Sequence, residues 1–190
     1  MDNLIVKLYK SPKSVFTFAD LAILWQETSR DNLKAKISYY VKKGSLHRLA
    51  RGIYAKQKDF RIRELAASFY SPSYISFETV LRGAGVIFQH YSAIFVAGPW
   101  SLKRRVAGQS FVIRRLKSQL LYNPLGVLQR DSYSIATPER AFVDMVYLFP
   151  KYFFDHPDRL DWALCLEIAK TFGSRSLLEH VNKYRATYAQ

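Results

Sequence analysis

The chain has 190 residues, enough for one medium domain or two small ones, and its 49% hydrophobic and 15% aromatic residues supply a packed core. This composition excludes a disordered chain. Lysine and arginine number 29 against 15 aspartate and glutamate, and the net charge of +14 predicts a polyanionic partner, most often nucleic acid.

The cysteine and histidine content argues against a disulfide framework or a metal centre. Cys165 is the only cysteine, and the four histidines are scattered without a spacing typical of metal ligands. We therefore expect no cofactor. The N-terminal segment is unlike a signal peptide and no apolar run is long enough to cross a membrane, so the sequence predicts a cytoplasmic protein.

The first elements are helical. Residues 3–10 predict a short helix, and Ser11-Pro12 ends it. Thr17 resembles an N-cap residue, with Asp20 three positions later as in a capping box. The residues that follow are apolar at the spacing of one helix face, namely Phe18, Leu21, Ala22 and Trp25.

A second helix and a hairpin follow. Ser29 is the candidate N-cap, and Gly44 provides the left-handed residue that ends the helix. Ser45–Leu49 and Gly52–Ala55 then predict two short paired strands. The inward face of this helix is predicted to carry Leu33, Ile37, Tyr40 and Val41.

Two capped helices followed by a basic hairpin predict a winged helix-turn-helix, in which the second helix enters the major groove of DNA. With a connector helix at residues 60–70, we assign residues 1–70 to a DNA-binding domain. Residues 29–58 contain nine lysines and arginines but only one acid, Asp31. This excess of positive charge favours contact with DNA over an ordinary solvent-exposed surface. The predicted contacts are Ser29, Arg30, Asn32, Lys34, Lys36, Ser38, Tyr39, Lys42, Lys43, His47, Arg48, Arg51 and Lys56.

The rest of the chain, residues 71–190, predicts a small α+β domain with C-terminal helices. Ser76 is the candidate N-cap of a helix over Phe77–Arg82, and residues 91–97 and 110–116 have the composition of strands. Residues 125–136 predict a hairpin. The complete fold class is therefore α+β, with an N-terminal winged helix-turn-helix.

The C-terminal half of this domain is predicted to be helical. Thr137-Pro138-Glu139 is typical of a helix start, and the helix over residues 138–149 is apolar nearly all round, so we expect it to be buried. Residues 158–171 and 175–188 predict two closing helices. A second basic surface is predicted from Lys103, Arg104, Arg105, Arg114, Arg115 and Lys117.

Three segments in this order resemble the AbiEi-type antitoxins of type IV abortive-infection toxin–antitoxin systems. KKGSLHRLARGIYA is similar to the end of that family's winged helix. SYISFETVLRGAGVI is similar to the start of its C-terminal domain, and SIATPERAFVDMVYL to its Thr-Pro-Glu-Lys helix start, with Arg140 where lysine is common. The resemblance spans roughly residues 15–150.

The resemblance implies a DNA-binding antitoxin that represses its own operon by binding double-stranded operator DNA. Its functional partner would be a nucleotidyltransferase-like toxin, with or without a direct complex between the two. Neither an enzyme activity nor a membrane partner is implied, and a homodimer is left open.

Two other functions are compatible with the sequence. One is a Mg²⁺-dependent nuclease, if the fold brought Glu78, Glu139 and Asp144 together. The other is a winged-helix transcription regulator unrelated to toxin control.

Overall fold

The computed structural model describes residues 3–189, so residues 1, 2 and 190 of the predicted domains lie outside the described residues. The chain divides into two compact units, with the division between Phe69 and Tyr70. Each unit contains both helices and strands, which confirms the α+β class. Among residues 3–189, no helix combines the length and the apolar character that crossing a membrane requires.

The first unit consists of helices around a small antiparallel sheet whose strand order is β1-β3-β2. The predicted helices and the predicted hairpin are present, and β1, which the sequence patterns did not indicate, adds a third strand by pairing with β3. The elements are α1 (Asn3–Lys10), β1 (Val15–Thr17), α2 (Phe18–Trp25), α3 (Arg30–Lys42), β2 (His47–Ala50), β3 (Ile53–Ala55) and α4 (Ile62–Ala67).

Local hydrogen bonds fix where α2 and α3 begin and end. The Thr17 hydroxyl accepts the Asp20 N–H at 3.1 Å while the Asp20 carboxylate accepts the Thr17 N–H at 2.8 Å, which confirms the capping box. The Ser29 hydroxyl accepts the Asn32 N–H and caps α3. Gly44 has a φ of +72° just after α3, as its predicted role as the helix stop requires.

The core of the first unit is formed by the inward faces of its helices and by residues of the hairpin. Trp25 packs against Tyr40 with ring centroids 5.4 Å apart, and its indole N–H donates to the Leu4 carbonyl oxygen. The buried core residues are Leu8, Phe16, Leu21, Trp25, Leu33, Ile37, Tyr40, Leu46 and Tyr54.

A buried carboxylate also connects α4 to the start of β1. Glu64 accepts hydrogen bonds from the Ser14 N–H at 2.6 Å, the Ser14 hydroxyl at 2.8 Å and the Val15 N–H at 2.9 Å, and it forms an ion pair with Arg61. Because these donors surround the charge, the cost of burying it is offset.

The second unit is built on a mixed six-stranded sheet of order β6-β7-β5-β4-β9-β8. Strands β5 and β7 run parallel, and β6, at one edge, pairs antiparallel with β7. The elements are β4 (Tyr74–Ile75), α5 (Glu78–Gly83), β5 (Ala93–Gly98), β6 (Leu102–Val106), β7 (Gln109–Arg115), α6 (Ser118–Tyr122), β8 (Val127–Gln129), β9 (Ser134–Ala136), α7 (Pro138–Leu148), α8 (Trp162–Thr171) and α9 (Arg175–Tyr188).

Helix α7 is the central helix of this unit. Thr137 caps it by accepting the Arg140 N–H at 3.2 Å, and every residue from Arg140 to Val146 is buried, which confirms both predictions for this helix. Helices α5, α8 and α9 pack against it.

Two predicted boundaries in the second unit were wrong. Ser76 does not cap α5, because its hydroxyl donates instead to the buried Asp144 carboxylate at 2.8 Å and α5 begins only at Glu78. Helix α8 begins at Trp162 rather than at residue 158, because Asp161 caps it through the Ala163 and Leu164 N–H groups.

Candidate nucleic-acid interface

Helix α3 separates an apolar inward face from a polar outward face, as the sequence predicted. Leu33, Ile37 and Tyr40 are buried in the core of the first unit. On the opposite side, Asn32 and Ser38 are exposed and carry uncharged polar groups. Exposed on the same helix are Arg30, Lys34, Ala35, Tyr39 and Lys42.

Two of the lysines predicted to contact DNA form ion pairs with carboxylates of the same unit. Lys34 pairs with Asp31 at 2.8 Å, and Lys36 pairs with Glu27 at 2.5 Å. These hydrogen bonds lower the pKa of both carboxyl groups, so both acids are ionised at neutral pH. Solvent screens the exposed pair of Lys34 with Asp31, whereas the Glu27 side chain, only 13% exposed, holds Lys36 in a more sheltered pair.

The C-terminal end of α3 carries a basic and aromatic group. The Lys43 ammonium lies over the Tyr39 ring, 4.5 Å from its centroid, and the Tyr39 ring meets Tyr40 edge-on at 5.1 Å. Lys42 is exposed beside them. This contact orients Tyr39 on the exposed face of the helix.

The β2–β3 hairpin presents two exposed arginines. Arg48 lies on β2 and Arg51 in the turn, and neither side chain has a hydrogen-bond or ion-pair partner within the described part of the chain. His47 is half-buried at the start of β2. Lys56 differs, because its ammonium donates to the Ser11 carbonyl oxygen at 2.7 Å and so holds the base of the hairpin.

The second predicted basic surface lies mostly on the edge strand of the second unit. Lys103, Arg104 and Arg105 are exposed on β6, and Arg115 and Lys117 are exposed at the end of β7 and just after it.

Arg114 does not belong to this surface, contrary to the prediction. Its guanidinium binds the buried Glu78 carboxylate through two hydrogen bonds of 2.6 Å. It also lies between 4.7 and 4.9 Å from the centroids of the Phe77, Phe95 and Phe149 rings. Arg114 is therefore a structural residue.

The three acids considered for a nuclease are held in separate environments. Glu78 pairs with Arg114, and Asp144 pairs with Arg140 at 3.0 Å. Glu139 is half-buried near the start of α7, where its carboxylate accepts the Asp161 N–H. Within residues 3–189, no group of three or more acidic, histidine or cysteine side chains is arranged to hold a metal ion.

Arg140 and Asp144 form a fully buried ion pair at the centre of the second unit. The Arg140 guanidinium donates to Asp144, to the Tyr74 hydroxyl at 2.7 Å and to backbone carbonyl oxygens, including that of Leu120 at 2.7 Å. Asp144 also accepts from the Tyr74 and Ser76 hydroxyls. Burial raises the pKa of Asp144, an effect that Arg140 and the two hydroxyls oppose without cancelling.

The thiol of Cys165 is also structural. The side chain is buried in α8, and burial together with the carboxylates of Glu139 and Asp161 raises the pKa of the thiol. A thiol in these surroundings is protonated at neutral pH and is a poor nucleophile.

Sequence reasoning missed three of the charged contacts in the structure. Glu64, Glu78 and Asp144 each bind groups far away along the chain, and Ser76 is 68 residues from Asp144. One signal was available, since Arg140 and Asp144 stand four residues apart in a helix whose other residues, apart from Glu139, carry no charge.

Comparison of the chain with models of known protein families finds no match, and comparison with curated proteins finds no significant one. The resemblance to the AbiEi-type antitoxins therefore stays a prediction from the three motifs.

Proposed function

We propose that the chain is a DNA-binding protein whose first unit acts as a winged helix-turn-helix. In this proposal α3 enters the major groove and the β2–β3 hairpin is the wing. The order of elements supports the proposal, because two capped helices precede a hairpin whose second strand pairs with an earlier strand, β1.

The observation that carries the proposal is the pair of unpartnered arginines on the hairpin, next in sequence to a helix with an exposed polar face. Arg48 and Arg51 are exposed without carboxylate partners among the described residues, whereas Arg114 and Arg140 in the second unit are fully engaged. A guanidinium group without a carboxylate partner can bind a phosphate through two parallel N–H···O hydrogen bonds.

The exposed residues fall into two groups, one proposed to contact bases and one proposed to contact phosphates. Asn32 and Ser38 carry no charge, and we assign them to base edges in the groove. Arg30, Lys42, Arg48 and Arg51 are assigned to phosphates, which fix the position of the protein without reading sequence. Lys34 and Lys36 join them once phosphate displaces Asp31 and Glu27.

For the biological role, we propose an antitoxin and transcriptional autorepressor that counters a nucleotidyltransferase-like toxin. The support is the ordered set of three motifs quoted above, which spans both units. In this role the first unit binds the operator and the second unit carries the antitoxin activity.

Fluorescence anisotropy tests the DNA-binding part of the proposal. The full chain is titrated against the duplex upstream of its own reading frame and against a shuffled duplex of the same length and composition. We expect at least about a thousandfold preference for the upstream duplex at physiological salt. Equal affinities would contradict operator recognition.

Co-expression tests the antitoxin part. The neighbouring reading frame is expressed alone and together with the chain, with an Arg48→Ala, Arg51→Ala variant alongside to separate operator binding from rescue. Rescue of growth is expected. Operator binding without rescue would instead favour a transcription regulator unrelated to toxin control.

A further inference from the structure

The middle of the second unit is depleted of acidic residues. Residues 79–130 contain no aspartate or glutamate, and eight of their residues are lysine or arginine. One of these, Arg114, is neutralised by Glu78. The excess positive charge on this stretch is therefore not balanced within it.

The edge of the sheet concentrates this charge. Strand β6 pairs only with β7 among the described strands, so its other side is an open edge. In the register of this pair, Arg104 is opposite Phe111 and Lys103 is opposite Val112. Because side chains alternate along a strand, Arg104 lies on one face of the sheet, and Lys103 and Arg105 lie on the other.

An exposed tryptophan lies beside these cations. Trp100 is 60% exposed, two residues before β6. The Arg115 guanidinium lies 5.5 Å from the centroid of its ring, which holds the indole against the end of β7. The aromatic residues on the strands of this sheet, Tyr74, Phe95 and Phe111, are buried, so core packing does not explain an indole this exposed beside it.

We propose that this edge binds single-stranded nucleic acid. Trp100 stacks on an unpaired base, and Arg104, Arg115 and the cations of the opposite face bind the phosphates. Proteins that hold single strands without reading their sequence combine aromatic side chains that stack on the bases with cations that bind the phosphates. The bases of a duplex are already stacked on each other, so the indole gains its contact only with an unpaired strand.

Protection of the edge strand against aggregation explains the cations but not the tryptophan. Charged residues on an edge strand discourage pairing with another chain, and β6 has three in a row. A large exposed indole has the opposite effect, because it adds apolar surface at the same edge. Trp100 is thus the residue that distinguishes a binding site from a protected edge.

The site uses only residues of the second unit, and none of them has a role in the duplex contacts proposed for α3 and the hairpin. Binding of single strands at this edge is therefore independent of the proposed binding of the operator.

The test measures binding of the full chain to labelled oligouridylate, oligothymidylate and a mixed-sequence duplex, each of about 12 nucleotides or base pairs, within the site sizes of single-strand binders. The wild type is compared with Trp100→Ala, with Trp100→Phe and with the control Phe153→Ala, which removes another exposed aromatic side chain, 72% exposed, elsewhere in the unit. The RNA and DNA strands show which of the two the site prefers.

Trp100→Ala is expected to weaken binding to single strands about tenfold or more, while Trp100→Phe and Phe153→Ala retain most of it. Arg104→Ala with Arg115→Ala should lower the salt slope for single strands by about 0.7 per lost phosphate contact. Unchanged single-strand affinity in Trp100→Ala would overturn the proposal. So would failure of the wild type to bind either single strand, which would leave edge protection as the role of the cations.

Discussion

Helices α3 and α7 use charged residues in opposite ways. Each begins at a hydroxyl N-cap, Ser29 or Thr137, and each carries both signs of charge. Helix α3 carries its cations on its outer side, where Lys34 pairs with the exposed Asp31, Lys36 with the less exposed Glu27, and Arg30 and Lys42 with no carboxylate among the described residues. Helix α7 instead buries Arg140 and Asp144 completely. Exposed charged residues are therefore available to a ligand, whereas buried ones stabilise the fold.

The two arrangements also differ in energy. A buried pair is held by several hydrogen bonds whose loss leaves an unpaired charge in a poorly solvated interior, and this is costly. The two charges of an exposed pair can separate at almost no cost, because water solvates each of them. Substitutions on α7 should therefore change stability, and substitutions on α3 and the hairpin should change binding.

The largest expected effect is on α7. Asp144→Ala should lower the free energy of unfolding by about 3–5 kcal/mol, because it leaves the Arg140 guanidinium buried without its carboxylate. Urea unfolding followed by circular dichroism measures the loss. The matched control on α3 is Asp31→Ala, which removes an exposed carboxylate and should leave the unfolding curve unchanged.

A second variant tests whether the loss of stability in Asp144→Ala comes from the unpaired charge rather than from the lost side-chain volume. Arg140→Met with Asp144→Leu removes both charges and keeps an apolar volume, so it should recover much of the stability lost in Asp144→Ala. If Asp144→Ala were as stable as the wild type, the buried pair would have no structural role.

The next effect concerns the hairpin. Arg48→Ala with Arg51→Ala should weaken binding to all duplexes alike and lower the slope of log K against log salt by about 0.9 per lost contact. Its matched control is Lys183→Ala with Arg185→Ala, which removes the same charge from the exposed side of α9. Equal losses in the two variants would show that net charge alone drives binding.

A smaller effect is expected from the uncharged residues of α3. Asn32→Ala and Ser38→Ala should each cost about 1–3 kcal/mol on the specific duplex, because the contact proposed for each is a hydrogen bond to a base edge. Anisotropy titrations on the specific and shuffled duplexes measure the difference. Losses of the same size on both duplexes would show that these residues do not read bases.

The smallest effect belongs to the capping box. Asp20→Asn should lower the free energy of unfolding near neutral pH by about 0.5–1 kcal/mol, because the amide replaces the charged partner of Lys13 and of the Thr17 N–H. Duplex binding should be unaffected. Thermal melts of the two proteins over a pH series provide the measurement.

The pH dependence of this effect has a definite sign. Burial by itself raises the pKa of Asp20, but the hydrogen bonds from Lys13 and Thr17 outweigh it, so the pKa in the folded protein lies below the ordinary value of 3.8. The stabilisation is present above pH 3.8 and is lost as the pH falls through the folded pKa. The two proteins should therefore converge in acid, and a constant difference would contradict the assignment.

The sequence by itself determined the local features of this protein. Thr17, Ser29 and Thr137 are identifiable as helix starts because each accepts a hydrogen bond from a backbone N–H only three residues away. The buried faces of α3 and α7 followed from spacing, since a helix repeats every 3.6 residues. Overall charge and its clustering are also properties of the sequence alone.

Only the tertiary structure decided what each charged residue does. Arg114 and Arg115 are neighbours in sequence, yet alternation along β7 places Arg114 against Glu78 and the aromatic residues of the core and Arg115 beside the exposed Trp100. Pairing of β1 with β3 and of Ser76 with Asp144 depends on residues many positions apart. Such contacts form only when the chain folds, so no local pattern specifies them.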